Sequence, residues 1–511
     1  MRSIGPQQQA ITLVKTGILG LAFLSLTSCS PGETPTGAVT SGGSAGLSGP
    51  LVFVNNTGDK SLTSIALRGD SGNAVVNTIP AAEFENVSLG DMQFSEGEWV
   101  FVNLGAANKV ATIDPLTGAT PEHETNLVTG TRPVHIYRDP TDGEVIWSMN
   151  DGDNGAGSLT PGDDLINCAP PVPVAGQNYG SSVAILHNSH LGPGANPPTV
   201  EGIVCLLADG HHVAAFSSGA GVLKRAFVSS TTAGEIAVID NEPASPTKWT
   251  MTHRIDLCNP AKEAVPATCD VENPIGVAPF TANNSEPHGI RWSNLTQKIY
   301  SYQEGYQEIA EIDPTTLAIT NTFDLAGTSY TSIGMSPNGR FLLLRGNTTP
   351  GPGTKLGVID LSAIAPAIVD LTIPELNGTS PGSFKFSPDG NRFYILAGNA
   401  AATTQDRLFA FDASTLTATP PVLSLLREIP LIAGGNSVGF NAAHNLDVLA
   451  QGPVGAGEAK YIVVSNRLDN SVSIINATDH LIKQTVQVGL TPGGVLIYYP
   501  GAAAAGNQAS S

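Results

Sequence analysis

Residues 99–115, WVFVNLGAANKVATIDP, decide the fold of this chain because the same phrase recurs along it. Each copy alternates apolar and polar residues, turns at small polar residues and ends near Ile-Asp. Alternation with period two on both sides of such a turn predicts a β-hairpin. The clearest other copies are residues 225–241 (RAFVSSTTAGEIAVIDN), 298–314 (KIYSYQEGYQEIAEIDP) and 461–477 (YIVVSNRLDNSVSIINA), and looser copies begin at residues 51, 145, 341 and 392.

The hairpins belong to larger repeats. A further segment precedes most of them and another follows several, as in residues 287–294 (PHGIRWSN) and 318–325 (AITNTFDL). Four short antiparallel strands per repeat are typical of a β-propeller blade. We therefore predict an all-β propeller of eight four-stranded blades over residues 50–500, or seven blades if one weak copy is miscounted. The first hairpin lacks a leading strand, so residues 491–499 (TPGGVLIYY) are expected to complete the first blade and close the ring.

The N-terminal segment has the features of an export signal. A basic start with Arg2 and Lys15 leads into a short apolar run, residues 16–26. Such a run predicts a secretory signal, and it is shorter than the ~20 apolar residues of a membrane span. Residues 26–29, LTSC, resemble the bacterial lipobox, which implies cleavage before Cys29 and lipidation of its thiol. The alternative is an ordinary signal with a chance cysteine.

The lipobox resemblance also implies a location. Ser30, in place of Asp, implies the outer membrane in the Gram-negative pattern, at its periplasmic or surface face. The predicted organisation is a signal peptide (residues 1–28), a flexible tether (29–49), the propeller (50–500) and a disordered tail (501–511). The tether and the tail contain too few large apolar side chains to bury a core.

Charge and cysteine content limit the partners and the redox compartment. The 511 residues have a net charge of −20, which argues against nucleic acid because that partner requires a basic surface. The expected partners are the membrane, through the lipid anchor, and an unidentified protein or small molecule, and the chain is expected to be monomeric. With Cys29 lipidated, four cysteines remain, and an even number in an exported protein predicts disulfides. Cys258 and Cys269 lie in one loop and are the natural pair, and Cys168 would then pair with Cys205, although the sequence alone allows three pairings.

The repeat resembles the YVTN-type β-propeller repeat. Residues 227–240 (FVSSTTAGEIAVID) and 463–476 (VVSNRLDNSVSIIN) match its core, and residues 382–390 (GSFKFSPDG) match its lead-in. Members include surface-layer and periplasmic binding proteins, lactonase-like enzymes, and the propellers of amine dehydrogenases and of nitrite and nitrous-oxide reductases. The resemblance implies a propeller over nearly all of residues 50–500, but fold does not select among these functions. The sequence contains no haem-attaching C-x-x-C-H.

A set of histidines lies where inner strands are predicted to begin. His288 and His212 occupy equivalent positions in successive repeats, His211 is adjacent, and His135 in the preceding repeat is one position out of register. Three consecutive blades would bring His135, either His211 or His212, and His288 to one mouth of the channel. Imidazoles from separate strands suit copper, zinc or iron. The alternative is that these histidines bind backbone groups or water near the axis.

A second candidate site is the acidic loop of residues 148–168, whose oxygen ligands lie among glycines. Calcium prefers such oxygen sets, although the Glu that ends an EF-hand loop is missing, and the alternative is a plain acidic surface loop. The candidate ligands are Asn150, Asp151, Asp153, Asp163 and Asp164.

Two known catalytic motifs are missing from the sequence: it has no P-loop and no H-E-x-x-H. We therefore expect a lipid-anchored envelope propeller that acts as a binding or scaffold module through loops at one channel mouth. The alternative is a metal-binding envelope protein or enzyme that uses the histidines. Lactone hydrolysis is a third option that rests on fold analogy alone, and whether the chain is an enzyme stays open.

Overall fold

The computed structural model describes residues 49–95, 99–115, 122–152, 168, 180–187, 198–206, 210–264, 269, 282–347, 353–399, 406–431, 443–451 and 457–499. Within these residues, thirty-two strands form eight four-stranded antiparallel sheets, which are the blades. The predicted all-β, eight-bladed propeller is confirmed. The predicted signal peptide and lipidation site, and most of the predicted tether and tail, lie outside the described residues and stay predictions.

The blades are numbered in chain order, and each is given from its first strand onward. Blade 1 contains β1 (Leu51–Asn56), β2 (Ser61–Ala66) and β3 (Ala74–Ile79). Blade 2 contains β4 (Met92–Phe94), β5 (Val100–Leu104), β6 (Lys109–Asp114) and β7 (Glu122–Val128). Blade 3 contains β8 (Pro133–Arg138), β9 (Val145–Asn150), β10 (Ser181–His187) and β11 (Thr199–Leu206). Blade 4 contains β12 (His212–Ser217), β13 (Arg225–Ser230), β14 (Glu235–Asp240) and β15 (Met251–Asp256).

The second half of the ring repeats this pattern. Blade 5 contains β16 (Pro287–Ser293), β17 (Lys298–Gln303), β18 (Glu308–Ile312) and β19 (Ile319–Asp324). Blade 6 contains β20 (Tyr330–Met335), β21 (Phe341–Asn347), β22 (Thr354–Asp360) and β23 (Ile368–Leu371). Blade 7 contains β24 (Thr379–Phe386), β25 (Arg392–Asn399), β26 (Arg407–Asp412) and β27 (Ser424–Pro430). Blade 8 contains β28 (Ala443–Ala450), β29 (Ala459–Asn466), β30 (Ser471–Asn476) and β31 (Leu481–Gln487), and β32 (Pro492–Tyr498) follows it.

The last of these strands closes the ring, as predicted. β32 pairs antiparallel with β1, so the order in blade 1 is β3-β2-β1-β32. The Ile497 N–H donates to Asp447 Oδ2 of blade 8 at 2.8 Å, and the Tyr498 ring lies 5.7 Å from the Phe94 ring of blade 2. One strand therefore completes the first blade and contacts both neighbouring blades.

Burial follows the position of a strand in its blade. β1, β2 and β9 are buried along their whole length, whereas β19, an outer strand, is mostly exposed. Blades pack face to face, so the strands of the inner hairpin are covered on both sides; the Trp147 ring of blade 3, for example, lies 5.3 Å from the Phe216 ring of blade 4. Cover on both faces explains the consecutive apolar residues at the start of some of these strands, such as LVFV in β1.

Local chemistry fixes the turns and two of the longer loops. The Asp residue that ends a third strand accepts the backbone N–H two residues later, as turn chemistry predicts; this holds for Asp240, Asp313, Asp360 and Asp412. Both predicted disulfides are present, Cys168–Cys205 and Cys258–Cys269, with Cα–Cα distances of 5.8 and 5.3 Å. No helix in the described part of the chain is long and apolar enough to span a membrane.

Candidate functional site

Three inner strands from consecutive blades begin at the same mouth of the channel, and each brings a histidine there. His135 lies near the start of β8, His211 directly precedes β12, and His288 is the second residue of β16. His135 Nε2 is 3.0 Å from His211 Nε2, and the ring centroids of His211 and His288 are 5.0 Å apart. We call His135, His211 and His288 the three-histidine cluster.

Each imidazole of the cluster has a carboxylate at its other ring nitrogen. Asp91 Oδ2 lies 2.6 Å from His135 Nδ1, and Glu304 Oε2 lies 3.2 Å from His288 Nδ1. Asp151 Oδ2 lies 3.6 Å from His211 Nδ1, which is an ion-pair distance rather than a hydrogen bond. A carboxylate behind each histidine is the usual second shell of metal-ligating histidines, because it holds the proton on Nδ1 and leaves Nε2 to the metal.

The carboxylates change the proton affinity of the cluster. Burial lowers the pKa of the His135 imidazole, but the charge and the hydrogen bond of Asp91 outweigh burial, so the pKa is raised above 6.5. The neighbouring His288 imidazole lowers the pKa of the Glu304 carboxyl against the opposing effect of its own burial. The negative charge of Asp91 therefore favours a His135 that is protonated or bound to a cation.

His212 lies outside the cluster. Neighbouring residues of a strand point to opposite faces, so His211 faces the mouth while the His212 side chain, 0% exposed, turns into the protein. Its Nε2 lies 2.5 Å from Ser181 Oγ, and burial lowers its pKa to about 4. The sequence left His211 and His212 as alternatives, and the structure brings only His211 to His135 and His288.

The acidic loop is described only at its start. The Asn150 amide donates to Thr129 O and Ser182 Oγ, and Asp151 Oδ1 accepts the His212 N–H at 3.2 Å. Asp151 therefore faces the three-histidine cluster. The other three predicted calcium ligands, Asp153, Asp163 and Asp164, lie outside the described residues, so calcium binding there stays a prediction.

Asp91 and Glu304 were not predicted from the sequence, and they come from other elements than the histidines. Asp91 directly precedes β4, and Glu304 directly follows β17, whose last residue Gln303 pairs with Pro287 beside His288. Glu304 could have been predicted by pairing the inner strand β16 with the adjacent strand β17, because Gln303 then lies opposite Pro287. Predicting Asp91 would have required knowing that the start of β4 in blade 2 lies at the same mouth of the channel.

The described residues contain no group of three or more His, Cys, Asp or Glu side chains already arranged to share one metal ion. The contact between His135 and His211 supplies two facing nitrogens, and His288 stands beside them with its side chain 42% exposed. A change in the His288 side chain would be needed for all three imidazoles to reach one ion.

The comparisons with known proteins reveal the fold. No protein-family model matches the chain, and no curated protein is similar in sequence, so the YVTN resemblance stays a prediction. Dihydro-heme d1 dehydrogenase NirN in complex with DHE is 12% identical over 87% of this chain and 74% of its own, with a TM-score of 0.52. Apo AztD from Citrobacter koseri is 14% identical over 88% and 97% of the two chains (TM-score 0.49). A putative 6-phosphogluconolactonase from Bacteroides uniformis ATCC 8492 is 12% identical over 88% and 99% (TM-score 0.46). At such low identities the similarity establishes a propeller and nothing more specific.

Proposed function

We propose that this chain is a lipid-anchored binding propeller of the bacterial cell envelope, and that its channel mouth binds a transition-metal ion through His135, His211 and His288. The observation that carries the metal proposal is the 3.0 Å contact between His135 Nε2 and His211 Nε2. The propeller fold itself is compatible with a binding or scaffold role and does not distinguish between them.

A proton or a metal ion has to lie between the facing nitrogens. His135 can donate its Nδ1 proton to Asp91, and if the nearby Asp151 also keeps the His211 proton on Nδ1, each Nε2 carries a lone pair. Two lone pairs at 3.0 Å repel each other unless a proton or a metal ion lies between them. Nitrogens bound to one tetrahedral zinc ion at 2.0–2.1 Å are about 3.3 Å apart, so a shift of a few tenths of an ångström would admit the ion.

His288 supplies the third ligand of the proposed site. With Nδ1 beside Glu304, its Nε2 is also free to bind a metal, and the exposed side chain can turn towards His211. Three histidines with a fourth position open to water or substrate are the arrangement of catalytic rather than structural zinc sites. Zinc and copper(II) suit imidazole ligands, and affinity within the divalent series rises towards copper.

Metal titration of the full-length chain tests this function. We expect the detergent-solubilised protein, stripped with a chelator and dialysed, to bind about one zinc or copper(II) ion in isothermal titration calorimetry. His211→Ala should abolish binding, and Asp91→Asn should weaken it by about tenfold to a hundredfold, as loss of a second-shell carboxylate does. The matched control is His253→Gln, which changes a histidine on the outer strand β15.

The titration distinguishes a bound metal ion from a proton that His135 and His211 share. Equal binding by the wild type and His211→Ala would contradict the metal site. Failure of the wild type to bind metal at pH 7.5 would also contradict the metal site. His135 and His211 would then share a proton, and the mouth would be a site for another ligand.

The lipid anchor has its own test. In a Gram-negative host, the wild-type chain should incorporate radiolabelled palmitate, because residues 26–29 resemble the lipobox, and fractionate with the outer membrane, because Ser30 stands in place of Asp. Cys29→Ala should lose the label and no longer remain with the membrane. Label retained in Cys29→Ala, or an unlabelled wild type, would overturn the anchor without affecting the metal proposal.

A further inference from the structure

Arg291 is a buried cation that pairs with none of the described carboxylates. It lies on β16, farther from the channel mouth than His288, and is 4% exposed. Nη1 donates to the carbonyl oxygen of Ile290 at 2.8 Å, and Nη2 is buried with no hydrogen-bond partner. Within the described residues, no Asp or Glu lies at ion-pair distance from its guanidinium. A buried charged group is normally paired, so an unused donor here needs an explanation.

A second buried arginine of the same protein shows the usual solution. Arg254, 3% exposed on β15, has Glu235 of β14 at 3.7 Å, so its charge is balanced inside blade 4. Arg291 is buried to a similar degree without such a carboxylate. Burial lowers the pKa of the Arg291 guanidinium, and the Tyr137 phenol is the group that opposes this shift. A guanidinium nonetheless remains charged, and no carboxylate in the described part of the chain pairs with it, so an anionic ligand is a candidate partner.

Two residues of blade 3 lie within electrostatic range of Arg291. Its positive charge acts to lower the pKa of both His135 and Tyr137. The Tyr137 side chain is largely buried, 7% exposed. Its phenolic hydroxyl can donate a hydrogen bond to a ligand.

We propose that the channel behind the three-histidine cluster binds an oxyanion, the carboxylate or phosphate group of a small ligand, with Arg291 as its charged anchor and Tyr137 as a second donor. A guanidinium gives planar, charge-assisted hydrogen bonds that match carboxylate and phosphate oxygens. The site does not depend on a metal at the mouth, so it extends the proposed function without resting on it. A ligand with an oxyanion at one end could fill the channel from Arg291 towards the mouth.

The test uses the full-length chain in detergent, stripped of metal with a chelator. Oxyanion binding can then be measured even if the metal proposal is wrong. Inorganic phosphate and acetate are titrated separately at constant ionic strength against sodium chloride, and binding is followed by calorimetry and by the melting temperature. We expect one of the two to bind saturably, and which one it is identifies the class. Tyr137→Phe, which removes only the hydroxyl, should weaken binding. Arg291→Gln should weaken it by about tenfold or more, the loss expected for one charge-assisted hydrogen bond.

Two further variants keep the proposal falsifiable. Arg291→Met removes an unpaired buried charge, so without oxyanion it should melt no lower than the wild type, whereas a purely structural arginine would leave it less stable. Arg340→Gln is the control, since Arg340 already has Asp360 at 2.7 Å and its loss should not change anion binding. The proposal is wrong if both anions act like chloride, or if Arg291→Gln and Tyr137→Phe bind as the wild type does.

Discussion

A chain that ends at Thr491, and so lacks β32, is expected to be recovered unfolded or aggregated. Without this strand, β1 loses its inner partner and blade 1 keeps three strands. The exposed edge of β1 would offer unpaired N–H and C=O groups to other chains, which is a known route to aggregation. The expected result is a cooperative melting transition for the full chain and none for the truncated chain, followed by circular dichroism and size-exclusion chromatography.

The size of this effect follows from the apolar surface that β32 buries. Val495, Leu496, Ile497 and Tyr498, together with Tyr499, are each less than 10% exposed. At roughly 1.5–3 kcal/mol for each buried side chain, their removal costs on the order of 10 kcal/mol. Typical domains are stable by only about 5–15 kcal/mol, so the truncation should consume most of the stability of the ring.

A second truncation provides the control. A chain that ends at Tyr499 keeps β32 and removes only residues 500–511, so it should melt with the full chain. If the chain that ends at Thr491 melted like the one that ends at Tyr499, the closure of blade 1 by β32 would not matter for stability. Recovery of a folded ring on adding a peptide of residues 488–499 would show that the strand acts through pairing and not through synthesis in the same chain.

The fold could be predicted from the sequence because its determinants are local. Alternation, turn residues and an Asp or Asn at the end of the third strand recur in every clear hairpin copy, and a solitary strand at residues 491–499 fits an incomplete first hairpin. The repeat aligned less well where loops are long. β28, for example, begins at Ala443, and residues 432–442 before it lie outside the described residues.

The site could be predicted only in part, because it depends on which way side chains point and on contacts between blades. The order of the repeats was enough to bring His135 and His288 to one mouth. Choosing His211 over His212 needed the strand register, since a shift of one residue moves a side chain to the opposite face. Arg291 was not selected because an arginine in the run GIRWS gives no sign of whether a carboxylate faces it across the ring. Such pairing between distant elements has no local signature.

Asp447 is expected to be the most sensitive single carboxylate of the closure region. It lies on β28, is 2% exposed, and receives Lys385 Nζ of blade 7 at 2.5 Å and the Ile497 N–H of β32 at 2.8 Å. One carboxylate therefore connects blades 7 and 8 to the strand that completes blade 1. Asp447→Ala should lower the free energy of unfolding by about 3–5 kcal/mol, because it leaves a largely buried ammonium and a backbone N–H without an acceptor.

Urea denaturation of matched variants measures this loss and assigns its cause. Glu428→Gln is the control, since Glu428 and Arg407 form a 2.7 Å ion pair in which both side chains are partly exposed, and such pairs contribute less than about 1 kcal/mol. Adding Lys385→Met to Asp447→Ala should recover part of the loss, because the double variant no longer holds an unpaired ammonium. A cost below about 1 kcal/mol for Asp447→Ala, similar to that of Glu428→Gln, would show that closure depends on apolar packing alone. The predicted difference between the two carboxylates follows from burial, since water can replace the partner of Glu428 but not the partners of Asp447.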